Sequence, residues 1–301
     1  MHGLKIGHYS DDEQGTGVSV FLFEDSAAGG YWICGSAPAT HELAALDPDN
    51  SVPRCHGLVL SGGSAFGLHA AAGAMQYLHE KKIGHPVPSG VVPIVPAAAI
   101  YDLSYRKEAF PTAGQAYEAC KRATEDNHQR GRVGAGTGAT VGKLIPFAKS
   151  TTSGIGRVVL SQSDGLEVVA YVVVNSVGDV RDHGKTIAGA RDAHGQFADC
   201  EKFLLSGQAE SELFANSNTT LAAVFTNAAF NKDESKRIAK MAAAGMARAI
   251  SPVFTRFDGD IVFCLSVGQM SASELTVGAM AAEAVRLAIL DAVKEAEIVK
   301  G

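Results

Sequence analysis

Several patterns that mark common protein classes are missing from this sequence. Its formal net charge is -6, with no basic excess, which argues against nucleic acid or an anionic membrane as a partner. One Trp and 7% aromatic residues give no platform for stacking bases. No apolar run approaches the about 18 residues of a membrane span. The polar, acidic start of the chain lacks the apolar core of a signal peptide, so we expect a cytoplasmic protein.

Cysteine and histidine are not spaced as metal ligands or as a disulfide framework. The five cysteines are odd in number and far apart, and no CxxC occurs. The ten histidines are scattered, without an HExxH or HxH pair. We therefore expect no metal or other cofactor, and we expect the thiols to be reduced and buried. The cysteines are Cys34, Cys55, Cys120, Cys200 and Cys264.

Two glycine-rich stretches resemble phosphate-binding loops but lack the required spacing. In GAGTGATVGK (134–143), Thr137 stands where the first glycine is needed, and Leu144 replaces the metal-binding hydroxyl. The GKT at 184–186 fails as well, because Asp179 takes the place of the glycine. Nucleotide binding is not expected.

Strands and helices are mixed without a strict βαβ order. Such a mixture favours an α/β sandwich with largely antiparallel sheets, and no linker or charge block divides the chain into domains. The polar segment 194–218 is expected to be an exposed loop. Strands are predicted at 17–23, 31–34, 56–60, 157–160, 167–174, 221–226 and 260–266, and helices at 65–79, 112–124, 231–250 and 274–297.

The motif SGGSAFG (61–67) follows one of these strands and opens a helix. It does not fit the GxSxG pattern of a nucleophile elbow. Its amides could hold an anion at the helix start. The alternative is a tight turn between strand and helix.

The stretch NSNTTLAAV (216–224) places a pair of hydroxyls at the mouth of a strand. A threonine hydroxyl is a weak nucleophile unless a base lies beside it. When Thr is the first residue of a chain, its own α-amine can be that base. Thr219 gains such an amine only if the bond to Asn218 breaks, by attack of the hydroxyl on the preceding carbonyl. We expect an exposed, strainable junction here, although Asn-Thr before a strand is also a common turn.

Six ordered blocks resemble a family of self-processing aminopeptidases. That family includes L-aminopeptidase/D-esterase enzymes, β-peptidyl aminopeptidases and nylon-oligomer hydrolases. The blocks cover nearly the whole chain: HGLVLSGGSAFGL (56–68), VVPIVPAAAIYDL (91–103), GRVGAGTGATVGK (131–143), VVVNSVGDV (172–180), NTTLAAVFTNAAF (218–230) and FDGDIVFCLS (257–266).

The resemblance implies a fold, a processing event and an assembly. The fold would be a four-layer αββα sandwich formed by one hydrolase domain, 1–301. The precursor would cleave itself into 1–218 and 219–301. The family also implies a homo-oligomer, for which a tetramer is one arrangement.

The resemblance also assigns roles to residues of this chain. Thr219, after Asn218, matches the nucleophile. Asn175 matches the asparagine whose amide helps to bind the developing oxyanion, and Tyr101 matches the tyrosine placed near it. Asn175 could instead merely cap a turn.

Three charged residues match the nylon-oligomer branch. Lys143 matches its lysine, whose ammonium would hold down the pKa of the α-amine. Asp258 and Asp260 match its two acidic positions, where β-peptidyl aminopeptidases carry Ser and Glu. Alternatively, Lys143 is a solvated loop residue, and Asp258-Gly259-Asp260 is only a turn.

The function indicated is an amide hydrolase acting on a short peptide or amide with a free amino end. One alternative is an endo-acting hydrolase of ω-amino acid oligomers. Another is an acetyltransferase of arginine biosynthesis on the same fold. A third is an uncleaved, non-catalytic binding protein.

Overall fold

The computed structural model describes residues 1–207 and 218–298, and sixteen strands lie in this part of the chain. They are β1 (Leu4–Asp11), β2 (Thr16–Ile33), β3 (Ala39–His41), β4 (Cys55–Ser61), β5 (His85–Val87), β6 (Gly90–Val92), β7 (Ala97–Ala99), β8 (Thr140–Val141), β9 (Thr151–Thr152), β10 (Ile155–Ser161), β11 (Glu167–Asn175), β12 (Asp179–Asp182), β13 (Lys185–Ala188), β14 (Thr219–Ala228), β15 (Ile250–Ser251) and β16 (Ile261–Met270).

Helices cover both outer faces of the strands. They are α1 (Ser64–Gly67), α2 (Ala70–Glu80), α3 (Ala113–Lys121), α4 (Cys200–Leu205), α5 (Lys232–Ala247) and α6 (Glu274–Ile298), with 3-10 turns at Leu43–Leu46 and Gly134–Gly136. No helix of residues 1–207 and 218–298 is long and apolar enough to cross a membrane.

The long strand β2 belongs to two sheets at once. Its first half lies antiparallel to β1 and β4, and its second half lies antiparallel to β16. The sequence predicted two separate strands here, at 17–23 and 31–34. The polar residues Glu24 and Asp25 between them suggested a break, but the ladder continues past them with only a register shift against β4.

Alternating side chains on β11 show the order of the layers. Val169, Tyr171 and Val173 pack in the core between the two sheets, together with residues of β1, β4, β14 and β16. Val168 and Val172 point the other way, into the core formed with α5 and α6. A third core joins the outer face of β2 and β4 to α2 and α3. The order is helices, sheet, sheet, helices, and the αββα prediction is confirmed.

The second of these sheets runs β10-β11-β14-β16-β2. Its pairs are antiparallel except for β14 and β16, which run parallel, so the starts of both strands lie at the same edge. Thr219 opens β14 at this edge, and Asp260 immediately precedes β16. The opposite end of β11 also reaches it, because β11 is antiparallel to β14 and ends at Asn175.

Local sequence signals set several helix ends. Asn231 and Glu234 form the predicted capping box at the start of α5. The predicted loop 194–218 contains a helix, α4, in its first half. Asp199 begins this helix by accepting a hydrogen bond from the Lys202 amide at 3.0 Å. Residues 208–217 of the predicted loop lie outside the described residues.

Candidate active site

The backbone of Asn218, next to the bond to Thr219, is hydrogen-bonded to the backbone of the segment 257–259. The Asn218 amide donates to the Phe257 carbonyl at 2.9 Å, and the Gly259 amide donates to the Asn218 carbonyl at 2.6 Å. The Thr219 hydroxyl donates to the same Asn218 carbonyl oxygen at 2.5 Å. Asn218 and Thr219 are 1% and 3% exposed, so the expectation of an exposed junction is wrong. The hydroxyl and the carbonyl of the preceding residue therefore lie against each other in a buried setting.

Asn175 lies opposite Thr219 in the ladder between β11 and β14. Its Oδ1 accepts hydrogen bonds from Lys143 Nζ at 2.6 Å and from the Thr140 amide at 3.1 Å, and its Nδ2 donates to the Tyr101 carbonyl at 2.9 Å. These partners define which end of the amide carries the oxygen. Lys143 also donates to the Asn175 carbonyl at 2.9 Å. The lysine and the asparagine that the sequence predicted are thus in direct contact.

The ammonium of Lys143 is held in a poorly solvated position. Burial lowers its pKa to about 7, against the opposing effect of Asp258, Asp102 and Asp260, whose charges favour the protonated form. An amine with this pKa exists in both protonation states near neutral pH. Lys143 can therefore act as a cation or as a proton acceptor at this site.

Asp258 and Asp260 are buried and bonded to groups of the protein itself. Asp258 accepts hydrogen bonds from the Thr255 amide at 3.0 Å and the Thr255 hydroxyl at 2.6 Å. Asp260 accepts from the Thr220 amide at 2.6 Å and the Phe254 amide at 3.3 Å. The two carboxyls fix the turn around Gly259 and the first residues of β14.

Both of these carboxyls have raised pKa values. Burial raises the pKa of Asp258. Burial and then the neighbouring Asp258 charge raise the pKa of Asp260 to about 8, although the Thr220 and Phe254 amides oppose the shift. Near neutral pH, Asp260 is therefore a carboxyl that holds a proton for much of the time.

A cavity of about 390 Å³ lies beside the Lys143–Asn175 contact. Its lining includes Tyr101, Asp102, Tyr105, Thr140 and Lys143. Asn175, Thr219, Asp258 and Asp260 are not among its lining residues. The sequence-predicted residues thus separate into two that line the cavity, Tyr101 and Lys143, and four that lie buried beside it. A larger cavity, of about 600 Å³, is at the other end of β14 and is lined by none of the six.

Asp102 is a charged residue of this site that sequence reasoning missed. It is 3% exposed, and its Oδ1 accepts a hydrogen bond from the Gly63 amide at 2.6 Å. Burial raises its pKa to about 6, while the Gly63 amide and Lys143 favour its charged form. The SGGSAFG motif was expected either to hold an anion or to form a tight turn. It does both, since Gly63, at φ +80°, begins α1 and binds this carboxyl of the same chain. The signal was the position of Asp102 directly after Tyr101.

Comparison with known proteins places this chain in a family. The model of peptidase family S58 matches residues 1–301. The chain belongs to peptidase family S58. This S58 chain is therefore a hydrolase of the peptidase class.

Curated relatives of this S58 chain fall into two groups. An uncharacterized aminopeptidase of Mycobacterium leprae is 36% identical over 336 residues, covering 100% of this chain and 91% of the relative. A 6-aminohexanoate-oligomer endohydrolase of Paenarthrobacter ureafaciens is 30% identical over 260 residues, covering 79% of this chain and 72% of the relative.

Solved structures share the fold of this S58 chain at low sequence identity. The L-aminopeptidase D-Ala-esterase/amidase of Ochrobactrum anthropi superposes with a TM-score of 0.75 at 15% identity, over 98% of this chain and 85% of that one. A β-aminopeptidase of Burkholderia sp. superposes with a TM-score of 0.70 at 17% identity, over 96% and 84%.

Proposed function

We propose that this chain is a self-processing N-terminal-threonine amide hydrolase that acts on short peptides or amides with a free amino end. The observation that carries the proposal is the contact of the Thr219 hydroxyl with the Asn218 carbonyl oxygen at 2.5 Å. The S58 membership and the aminopeptidase relatives support the same reaction class.

Self-processing turns the internal threonine into an N-terminal one. The Thr219 oxygen attacks the Asn218 carbonyl carbon, and the bond from that carbon to the Thr219 nitrogen breaks. The hydroxyl proton ends on this nitrogen, and Asn218 is left as an ester on the Thr219 oxygen. Water hydrolyses the ester. The products are 1–218 and a second fragment, 219–301, with a free α-amine and hydroxyl on its first residue.

The mature residue then carries its own base. Its α-amine takes the hydroxyl proton as the oxygen attacks the substrate carbonyl, and it returns a proton to the leaving amine. Water removes the acyl group and restores the hydroxyl. Asn175 pairs with Thr219 in the ladder, and Lys143 is hydrogen-bonded to Asn175. The charge of Lys143 at this position lowers the pKa of a nearby amine.

A second candidate is an endo-acting hydrolase of ω-amino acid oligomers. It is favoured by the endohydrolase relatives and by the environment of the two aspartates. Both carboxyls are satisfied by protein N–H or O–H groups, so neither is open to a substrate ammonium in the intact chain. The S58 match favours either hydrolase over the acetyltransferase of arginine biosynthesis.

Trapping the acyl-enzyme tests the proposal. The purified protein is mixed with an activated amino acid ester, quenched in acid and digested. We expect the acyl group on the peptide that begins at Thr219. Acylation of a different residue, or turnover without acylation of Thr219, would contradict the assigned nucleophile. An uncleaved binding protein would show neither acylation nor turnover.

We further propose that the active form is a cytoplasmic homo-oligomer. The composition and the family resemblance support this proposal. Light scattering of the purified protein tests the assembly, and the mass of a single 31.3 kDa chain would contradict a homo-oligomer.

A further inference from the structure

The carbonyl oxygen of Asn218 accepts hydrogen bonds from two donors. Its carbonyl carbon forms the peptide bond at which cleavage is proposed. The Asn218 oxygen accepts from the Thr219 hydroxyl at 2.5 Å and from the Gly259 amide at 2.6 Å. The Gly259 contact is short for an N–H···O bond. The second donor comes from a distant part of the chain, because Gly259 lies in the turn before β16 whereas Thr219 begins β14.

We propose that the Gly259 N–H is the oxyanion donor for self-cleavage, a role that rests on the proposed function. When the Thr219 oxygen attacks the Asn218 carbonyl carbon, the carbonyl π electrons move to the Asn218 oxygen. The Gly259 N–H already points at this atom and stabilises its negative charge. As the carbon–nitrogen bond breaks, the electron pair on the Asn218 oxygen forms the C=O bond again. The Gly259 N–H therefore acts only through hydrogen bonding and gains or loses no proton.

The donor is held in place before the reaction. The Asn218 amide donates to the Phe257 carbonyl, so that Asn218 is bound to the segment 257–259 on both sides. The Asp258 carbonyl accepts from the Ala37 amide at 3.0 Å, and the Asp260 carbonyl accepts from the Cys34 amide at 2.8 Å. Because the donor is fixed on both sides, no free energy is needed to reorient it when charge develops on the oxygen.

Only glycine allows this approach. A Cβ at position 259 would lie 2.7 Å from the Thr219 Oγ1 and 2.6 Å from the Ala37 oxygen. Both distances are shorter than a non-bonded contact between a carbon and an oxygen atom allows. The glycine between the two aspartates is therefore required by the contact of its backbone with the reacting threonine, and not only by the geometry of a turn.

The side chain of Asn175 does not compete for this role in the intact chain. Its Nδ2 donates to the Tyr101 carbonyl, and its Oδ1 accepts from Lys143 and Thr140. These three hydrogen bonds are thus made to groups other than the Asn218 oxygen. The predicted role of Asn175 as an oxyanion donor in substrate turnover is a separate prediction.

An amide-to-ester exchange at position 259 tests the donor directly. Suppression of a stop codon with glycolic acid in cell-free translation replaces the Gly259 N–H by an oxygen and adds no Cβ. The same exchange weakens the Asp258 carbonyl as an acceptor for the Ala37 amide. The matched control therefore places lactic acid at position 37, which removes that second hydrogen bond alone. The readout is the rate at which the full-length chain gives fragments 1–218 and 219–301.

We expect the ester at 259 to slow cleavage by about 100- to 1000-fold, the effect of losing one oxyanion donor, and the ester at 37 to leave the rate within a few-fold of the wild type. A wild-type rate in a folded 259 ester overturns the inference while the proposed function stands. If the all-amide chain does not cleave, self-processing itself fails and the inference fails with it.

A second measurement does not depend on the folding of the ester. In the uncleavable Thr219→Ala chain, labelled with ¹⁵N-glycine and carbonyl-¹³C asparagine, a scalar coupling should connect the Gly259 nitrogen and the Asn218 carbonyl carbon across the hydrogen bond. Loss of this coupling in a folded protein would overturn the inference. Its presence is the expected result.

Discussion

Asn175 lies directly opposite Thr219 across the ladder between β11 and β14, and its side chain connects that position to Lys143. The two ends of the Asn175 amide serve different partners, with the oxygen on Lys143 and the nitrogen on the Tyr101 carbonyl. Two of the residues that the sequence singled out, Lys143 and Tyr101, are thus linked by hydrogen bonds through Asn175.

Replacing Lys143 by methionine should change the pH dependence of the cleaved enzyme. The pKa of Lys143 is lowered to about 7, so its charge is present on the acid side of neutrality. This charge disfavours protonation of the Thr219 α-amine, whose reference pKa is about 7.7 to 8.0. In Lys143→Met that repulsion is gone, and the acid limb of kcat/KM against pH should move upward. An unchanged profile would remove Lys143 from the mechanism, and a variant that no longer cleaves would place it in processing.

Removing the charge of Asp102 should also move this acid limb upward, by less than Lys143→Met does, because a Lys143 that loses its proton at lower pH repels the α-amine less. The Asp102 carboxylate raises the pKa of Lys143, and Asp102→Asn removes it while leaving an acceptor for the Gly63 amide. The pKa of Lys143 should then fall further. The matched variant Asp102→Ala loses the acceptor as well, and should cost stability in addition. If Asp102→Asn leaves the pH profile where it is, the electrostatic link between these residues is refuted.

Asp260 should make the folded state less stable as pH rises. Its pKa is about 8 in the folded chain, against an ordinary value of 3.8, so between these values the folded state binds more protons than the unfolded state. The free energy of unfolding should therefore fall with rising pH across this window, by at most about 1.4 kcal/mol per pH unit.

Denaturant titrations of the uncleavable Thr219→Ala chain at several pH values measure this slope. Asp260→Asn should flatten it, even if it lowers stability at every pH, because its amide nitrogen would face either the Thr220 or the Phe254 amide. The exposed Asp49→Asn is the control and should keep the slope. A slope equal in the Asp260→Asn and control variants would mean that Asp260 titrates normally.

A free amino end on the substrate should matter if the enzyme is an aminopeptidase. A charge-assisted hydrogen bond to the substrate ammonium contributes about 1.5 to 3 kcal/mol. N-acetylation should then lower kcat/KM by about ten- to a hundredfold. The measurement compares one amide oligomer with and without the acetyl cap. Equal rates would favour the endo-acting alternative and leave the assignment of Thr219 unchanged.

The sequence predicted those parts of the fold that depend on local pattern. The capping box of Asn231 and Glu234 sets the start of α5 through side chains three residues apart. The apolar runs at 167–174 and 221–226 predicted β11 to within one residue of its end, and β14 except for two residues at each end. In β2 the local pattern was misleading, because the strand is completed by different partners on its two halves.

The candidate site depends on contacts that a single sequence does not show. Lys143 and Asn175 are 32 positions apart, and only the family resemblance related them. Asp102 binds Gly63 across 39 positions and left no motif of its own beyond its place after Tyr101. The buried state of Asn218 follows from its bonds to Phe257 and Gly259, which polarity at the junction did not indicate.

The central claim is cleavage between Asn218 and Thr219. Intact mass spectrometry and N-terminal sequencing of the purified wild type and of Thr219→Ala measure it directly. We predict two fragments in the wild type, the second beginning TTLAAV, and a single full-length chain in Thr219→Ala. A wild type that stays one chain, a new N-terminus at another residue, or cleavage at the same bond in Thr219→Ala would contradict the account.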